Sequence, residues 1–311
     1  MKQFWDRFTK YFSDSPKIFT GFYLSPHYFC GASLSTKERK ISDYYIKTLP
    51  QGIVRPSLNE KNIVEEEILK QEFLKALKKV NARGKNIALV FPELSQKTFT
   101  FSLDSLPHSP REREQIIRFR IKKKMPFLPE DVRISYDLVS KESGIRAAVI
   151  LTRKYIVQEY EEFLGRLGLK VRAVVPPSVG LVNLLNLELD EDYFLLNVEQ
   201  DDFSLSVHFN SELVLYRQKR FNLGMEAQAA IKDKVKDVIQ EVENTLNLIE
   251  GSEKKKDFRF LVRCGMNNTE DLIKEASQRF SFSFDRIGSV LKVDLNLKQA
   301  EKLSPILGML T

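Results

Sequence analysis

Residues 18–35 read IFTGFYLSPHYFCGASLS, and this stretch decides the first part of the fold. Apolar and aromatic residues lie on both sides of Ser25-Pro26, a dipeptide typical of turns. Two such runs joined by a short connection predict a pair of neighbouring strands. We therefore expect the globular part of the chain to begin with a β-hairpin whose turn lies at Ser25-Pro26.

Beyond this hairpin, strands and helices follow one another in two successive halves that show no tight sequence repeat. The 311 residues can supply two lobes of roughly 150 residues, each with its own core. The predicted helices are 60–80, 109–125, 154–167, 177–187 and 225–250. The further predicted strands are 86–91, 97–103, 147–152, 171–175, 193–198, 203–209 and 212–219. This order predicts two α/β lobes.

The composition limits the class of protein. A hydrophobic fraction of 42% and a charged fraction of 29% are typical of soluble globular proteins. The sequence contains no apolar run of the roughly 20 residues that cross a bilayer, and its start lacks the apolar core of a signal peptide. The two cysteines, Cys30 and Cys264, fit a reducing compartment. We therefore expect a cytoplasmic protein.

The first 17 residues predict an amphipathic helix. Phe4, Trp5 and Phe8 recur at helical spacing, with charged residues between them. Such a helix either lies on a membrane surface through its aromatic face or packs against its own domain. The sequence leaves both interpretations open.

A second helix begins at Ser109, which is suited to cap it, with Pro110 at the first helical position and Glu112 placed for a capping box. Pro126 predicts that the helix ends near Met125. Ile117, Ile121 and Met125 fall four residues apart and predict its buried stripe.

Another face of the same helix carries Arg111, Arg118 and Lys122, which form a basic ridge. Three interpretations stay open: a solvated surface, a contact with a protein or with the inner leaflet of a membrane, and nucleic-acid binding. No DNA- or RNA-binding motif accompanies the charge, which disfavours the third interpretation. Pro126 and Phe127, directly after the helix, are further candidate contacts.

Several stretches, in the right order and spacing, resemble the PilM family of actin-like proteins in type IV pilus assembly and its type II secretion relatives. The resemblance covers residues 18–310. The stretches are 49–54 (LPQGIV), 84–92 (GKNIALVFP), 125–132 (MPFLPEDV), 163–170 (FLGRLGLK) and 241–246 (EVENTL).

This resemblance implies an α/β, two-lobed actin-like (ribonuclease H-like) fold with a small α/β subdomain of the FtsA and PilM type inserted in the first lobe. The implied first lobe is 18–95 and 147–188, the inserted subdomain 96–146, and the second lobe 189–311. The implied partner is the cytoplasmic tail of a PilN-like bitopic membrane protein, bound in a groove of the first lobe. The implied location is the cytoplasmic face of the inner membrane.

The residues that would hold a nucleotide depart from the family pattern. In actin-like ATPases two Asp-Ile-Gly turns hold magnesium and phosphate, because a carboxylate binds the ion and glycine admits the phosphates. The first of these turns falls on Tyr23-Leu24-Ser25 and the second on Asn197-Val198-Glu199. The adenosine turn retains only Gly265, beside Arg263. We therefore expect a pseudo-ATPase scaffold, and these departures disfavour ATP and magnesium as ligands.

Two other functions remain as alternatives. The first is an active actin-like ATPase in which Glu199 or Asp201 handles magnesium. The second is a basic module that binds lipid or nucleic acid through its lysine clusters. His27 and Cys30 have a ligand-like spacing, but no second pair completes a zinc site, so no metal is expected.

Overall fold

A computed structural model describes residues 18–35, 40–82, 84–141, 144–189, 191–210, 212–221, 229–250, 258–265, 269–280, 282–291 and 293–310. The predicted helix of residues 1–17, with Phe4, Trp5 and Phe8, lies outside the described residues. Among the described helices, none is both long and apolar enough to cross a membrane.

The first lobe is built on a five-stranded sheet that begins with the predicted hairpin. Its strands are β1 Thr20–Leu24, β2 Tyr28–Leu34, β3 Ile41–Thr48, β4 Asn86–Val90 and β8 Lys170–Val175. The order is β3-β2-β1-β4-β8, in which the first three strands are antiparallel and β4 and β8 run parallel to β1.

Each face of this sheet is covered by helices. Helices α1 (Glu66–Lys79) and α3 (Lys154–Arg166) cover the face that carries Phe22 and Phe29. The opposite face carries Tyr23 and Cys30, because successive side chains of a strand alternate between faces. Tyr23 therefore points away from α1 and α3.

A three-stranded antiparallel sheet forms a separate layer in the first half of the chain. Its strands are β5 Lys97–Leu103, β6 Val132–Lys141 and β7 Gly144–Arg153, in the order β5-β7-β6. Helix α2 (Pro110–Lys124) packs on it through Ile117 and Ile121, as predicted. Ser109 is the N-cap residue and Pro110 the first helical residue, as predicted, but the Ser109 side chain makes no capping hydrogen bond.

The predicted limit of the inserted subdomain, after residue 146, cuts through β7. This strand pairs along its length with β5 and β6, so its residues beyond 146 belong to the three-stranded sheet and not to the first-lobe sheet. The apolar run from residue 147 is typical of a buried core strand, because β7 is the central strand of the three-stranded sheet. Ala147 and Val149 pack under α2, while Ile150 packs toward the first-lobe core.

The second lobe repeats the strand order of the first. Its strands are β9 Tyr193–Val198, β10 Asp202–Phe209, β11 Glu212–Arg220, β12 Arg259–Cys264 and β13 Asp285–Arg286. The order β11-β10-β9-β12-β13 combines three antiparallel strands with two parallel ones. Helices α5 (Ala229–Glu250) and α6 (Thr269–Arg279) pack on one face of this sheet.

Two helices cross between the lobes. Helix α4 (Pro177–Glu188) follows the first-lobe sheet but packs Leu181 and Leu185 against the second. After the single-turn helix α7 (Ile287–Val290), helix α8 (Leu297–Leu307) returns to pack Ile306 against the first sheet. The two helices touch closely, since a Cβ atom at Gly180 would lie 1.9 Å from the Pro305 carbonyl oxygen. The lobes are thus joined by an exchange of helices.

Candidate functional site

The two hairpin turns and the end of β12 meet in the cleft between the lobes. Strand β12 pairs with β9, which places Arg263 opposite Asn197 and Cys264 opposite Val198. The first hairpin reaches this corner from the other lobe through Tyr23, whose hydroxyl contacts Glu199. Three segments that are far apart in sequence therefore form one site.

Arg263 lies at the centre of this site and is fully buried. Its guanidinium donates to Asn197 Oδ1 at 2.9 Å and to the Glu301 carbonyl oxygen at 2.9 Å. It also donates to Glu199 Oε1 and to the Tyr28 hydroxyl oxygen. This donor set joins the second-lobe sheet to α8 and to the first hairpin. We call Tyr23, Tyr28, Asn197, Glu199 and Arg263 the cleft cluster.

Glu199 is the anionic partner within the cleft cluster. Its Oε1 atom accepts hydrogen bonds from the Tyr23 hydroxyl at 2.6 Å and the Tyr28 hydroxyl at 2.9 Å, besides that from Arg263. The Tyr23 and Tyr28 rings meet edge to face with centroids 5.4 Å apart, and the Arg263 guanidinium lies 5.6 Å from the Tyr23 ring centroid. The carboxylate is thus satisfied by groups from both lobes.

The electrostatics keep this arrangement in one protonation state. Burial, together with the Glu199 charge, raises the pKa of both the Tyr23 and Tyr28 phenols well above its usual value, so both phenols remain donors. Burial disfavours the charged form of Arg263, but the Glu199 charge outweighs it and raises the pKa of the guanidinium. The cleft cluster therefore sets a charged guanidinium and two neutral phenols around the Glu199 carboxyl group.

Gly265 gives Glu199 its place. A Cβ atom at residue 265 would lie 2.2 Å from Glu199 Oε2 and 2.8 Å from its carboxyl carbon. The Gly265 amide also donates to the Val198 carbonyl oxygen at 2.7 Å. Gly265, which the resemblance assigns to an adenosine turn, therefore makes room for a side chain of this protein.

The mouth of the cleft carries a second contact between the lobes. His27 Nε2 lies 2.8 Å from Asp201 Oδ2, and both side chains are partly exposed. Burial would raise the pKa of Asp201, but the hydrogen bond and charge of His27 outweigh it and lower the pKa. Ser25 is buried within the first turn, where its hydroxyl oxygen accepts from the His27 amide at 3.4 Å.

The residues of the cleft do not fit Mg²⁺ and a nucleoside triphosphate. The Glu199 carboxylate is already engaged by three donors, and Asp201 is paired with His27. Burial and the charge of Glu199 raise the pKa of the neighbouring Asp202 well above its usual value, and a protonated carboxyl is a poor magnesium ligand. The described residues contain no group of three or more His, Cys, Asp or Glu side chains placed to hold a metal ion.

Of the residues that the sequence singled out for this cleft, the structure brings together Tyr23, Asn197, Glu199, Arg263 and Gly265. Sequence reasoning missed Tyr28 and the carbonyl group of Glu301. Alternation along the hairpin could have identified Tyr28, because Cys30 pairs with Tyr23 and Tyr28 lies two residues before Cys30 on the same face. No signal in the sequence pointed to Glu301.

The other candidate contacts lie on the three-stranded unit, apart from this cleft. Arg111 and Lys122 are exposed on α2, while Arg118 pairs with Glu114 at 2.9 Å. Pro126 and Phe127 are exposed in the turn that follows α2. The basic ridge and the cleft cluster are therefore separate features.

A narrow groove lies between the three-stranded sheet, α4 and the β10–β11 hairpin, with a cavity volume of about 60 Å³. We call it the α4 groove. Its walls are mostly apolar and include Thr98, Ile150, Val179, Val182, His208 and Tyr216. Burial lowers the pKa of His208 to about 3, so its ring is neutral.

The walls of the α4 groove are fixed by Glu93, a buried residue in the one-turn helix Glu93–Ser95. Its carboxyl group accepts hydrogen bonds from the Ser178 backbone amide at 3.0 Å, the Ser178 hydroxyl at 2.8 Å and the Gln96 side-chain amide at 2.7 Å. It also accepts one from the Tyr216 hydroxyl. These bonds hold the start of α4 against β11, so the groove is preformed.

Comparison with known proteins gives a fold. No protein-family model and no curated protein sequence matches the chain. Among solved structures, a chain of the PilM-PilN type IV pilus biogenesis complex matches with a TM-score of 0.74 at 14% identity, covering 94% of this chain and 96% of that chain.

Two further structures share the fold at lower similarity. A Bacteroides thetaiotaomicron protein of unknown function with an actin-like ATPase fold matches with a TM-score of 0.58 at 11% identity, covering 94% of this chain and 98% of that one. The ethanolamine utilization protein EutJ from Carboxydothermus hydrogenoformans matches with a TM-score of 0.54 at 9% identity, covering 94% and 89%. The chain has the two-lobed actin-like fold, in a form similar to that of the PilM-PilN complex.

Proposed function

We propose that this protein is a scaffold of the inner-membrane platform of a type IV pilus or a related secretion system. It acts at the cytoplasmic face of the membrane, where it binds the cytoplasmic tail of a PilN-like bitopic protein without hydrolysing ATP. The fold likeness to a PilM-PilN complex supports the choice of machinery. The observation that carries the proposal is the cleft cluster, in which side chains from both lobes join at the residues that the resemblance assigns to a nucleotide site.

The chemistry of the cleft favours a scaffold over an enzyme. An ATPase needs backbone amides and a metal-bound water around the phosphates, and it must open and close around the nucleotide. Here Arg263 supplies the positive charge, Glu199 the negative charge, and the two phenols complete the contact between lobes. The lobes are thus held together without a nucleotide.

The α4 groove is the place that we propose for the partner tail. An extended peptide is bound through main-chain hydrogen bonds together with pockets for alternate apolar side chains. The groove offers the partly exposed apolar side chains of Ile150 and Leu213, while its other apolar walls, Val179 and Val182, are buried. Its preformed shape lowers the entropy cost of ordering the protein on binding.

The proposal is tested by titrating the full chain with a synthetic peptide of a PilN-like tail, against a scrambled peptide of the same composition. We expect saturable one-to-one binding of the native peptide and none of the scrambled one. Equal binding of both peptides, or no binding of either, would contradict the proposed partner.

A further inference from the structure

The C-terminal half of α2 and the turn after it expose aromatic rings among basic side chains. Phe119 is 57% exposed and Phe127 is 93% exposed, whereas most aromatic side chains of the described chain are buried or half-buried. Lys122 and Lys123 are exposed between them. We call these four residues the basic aromatic surface.

Phe119 lies on the side of α2 that faces away from the three-stranded sheet. Ile117 and Ile121 face the three-stranded sheet, and at 100° per residue Phe119 lies about 180° from the middle of that stripe. Lys122 and Lys123 are its neighbours at one turn, and the Lys123 ammonium lies 4.8 Å from the Phe119 ring centroid. An aromatic ring at this position contributes nothing to the core of the unit.

Phe127 is the second exposed ring, in the turn beyond the helix. It follows the end of α2 directly, in a turn where Met125 and Leu128 pack into the core of the three-stranded unit. Its neighbours are anchored, yet its own ring is almost wholly in water, which costs the free energy that burial of a Phe would gain. Folding of the unit does not account for this exposed ring.

The charge of the region selects the class of partner. Helix α2 carries seven basic and two acidic residues, and three of the basic ones form its last turn. One of the acids, Glu114, is paired with Arg118 at 2.9 Å, and Asp131 beyond the turn is paired with Arg153 at 2.6 Å. Glu112 and Glu130 are the remaining exposed acids of residues 110–131. The surface is therefore positive around its two rings.

We propose that the basic aromatic surface docks this protein onto an anionic lipid bilayer. Phe119 and Phe127 enter the interface between headgroups and acyl chains, where aromatic rings are favoured, and Lys122 and Lys123 contact the lipid phosphates. Each lysine near an anionic leaflet adds to the attraction, and the effect weakens with salt. This contact does not depend on a protein partner, and it would orient α2 and the turn after it toward the membrane.

The test is sedimentation of the full chain with vesicles of phosphatidylcholine alone and of an equimolar mixture of phosphatidylcholine and phosphatidylglycerol. We expect partitioning onto the mixed vesicles only. The double substitution K122Q/K123Q should lower the partition coefficient roughly 30-fold, at about one order of magnitude in affinity per 1.4 kcal/mol. Phe127→Ser should lower it several-fold, and circular dichroism should show that both variants remain folded.

Matched controls come from α1, whose last turn carries the exposed lysines Lys78 and Lys79 and whose Leu74 is 44% exposed. K78Q/K79Q removes the same charge and Leu74→Ser removes a similar exposed apolar group, so both should partition like the parent. The proposal is overturned if the parent does not bind the mixed vesicles. It is also overturned if the α1 variants lose as much binding as the α2 variants, because general charge would then suffice.

Discussion

The cleft between the lobes and the α4 groove are both lined by residues of the two lobes, but they are filled in opposite ways. In the cleft, Arg263 and two phenols hydrogen-bond to Glu199 and so engage the carboxylate that could hold a metal. In the groove, the partly exposed side chains of Ile150 and Leu213 leave an apolar wall open. Both cavities use the same lobe arrangement, so the difference lies in side chains.

This contrast separates a site closed by an ion pair from a site with an apolar wall. A polar cleft is expensive to keep empty, because buried polar groups need partners. Here the protein itself supplies partners for the Arg263 guanidinium and the Glu199 carboxylate, although Asn197 Nδ2 and Asp202 Oδ1 have none among the described residues. An apolar groove costs only the hydration of its walls, so it can remain unoccupied until a peptide binds. Each prediction below changes residues of the cleft or of the α4 groove.

The largest effect is expected from Arg263→Met, which leaves Glu199 buried without its cation. Removing one partner of a buried ion pair costs about 3–5 kcal/mol, and urea unfolding should show a loss in this range. The double variant R263M/E199Q should recover part of the loss, because it removes the unpaired charge. A loss below about 1 kcal/mol for Arg263→Met would mean that the pair does not hold the cleft.

A smaller loss is expected from Gly265→Ala, whose Cβ atom would lie 2.2 Å from Glu199 Oε2. Displacing the carboxylate by overpacking should cost about 1–3 kcal/mol in the free energy of unfolding. The control is Gly165→Ala in α3, where no atom lies within 4 Å of the added carbon. That control should leave stability unchanged or raise it by about 0.5–1 kcal/mol, and equal losses in both variants would refute the role given to Gly265.

Ser135→Trp is expected to block the α4 groove, because Ser135 is exposed on β6 and lines this groove. The ring should fill the groove and weaken binding of a PilN-like tail by about tenfold or more, equivalent to about 1.4 kcal/mol, with little change in stability. Ser140→Trp, exposed on the same strand and outside the groove lining, serves as the control. Unchanged peptide affinity in the Ser135 variant would place the tail elsewhere.

The smallest effect concerns pH at the mouth of the cleft. The folded-state pKa of Asp201 is lowered, so its pairing with His27 stabilises the fold fully above the ordinary Asp pKa of about 4. This contribution to stability is lost as the pH falls through the lowered pKa. The stability gap between the parent and Asp201→Asn should therefore shrink on acidification below about pH 4. Asp104→Asn, at an exposed position, controls for the loss of one negative charge. A gap that widens toward acid would contradict this sign.

Much of the fold follows from local sequence patterns. The strands Lys97–Leu103 and Tyr193–Val198 have the predicted limits, because each is a short run bounded by turn residues. Strand β3 was missed because its sequence, ISDYYIKT, mixes polar and apolar residues, as suits the edge of a sheet. Helix α8 was missed because it contains Pro305, although the capping box of Asn296 and Gln299 was a visible signal.

The site was predictable in position but not in chemistry. The order of motifs placed Tyr23, Asn197, Glu199 and Arg263 in one cleft, where each was interpreted as a departure from a nucleotide-binding motif. Their pairing joins residues 176 apart in sequence, and side-chain partners at that distance depend on how the lobes pack. Local patterns carry no information on such packing. The Ser109 hydroxyl makes no capping hydrogen bond, and beside it the Arg113 side chain donates to the Pro107 and His108 carbonyl oxygens at 2.8 Å and 2.6 Å.

The most direct test of the central claim is a calorimetric titration of the full chain with ATP and Mg²⁺. The claim is that the cleft cluster occupies the nucleotide position, so the account predicts no heat of binding up to millimolar nucleotide. Saturable binding of one nucleotide per chain at micromolar concentration would contradict it. The protein would then be a nucleotide-controlled switch in which Arg263, Glu199 and Tyr23 must separate to admit the phosphates.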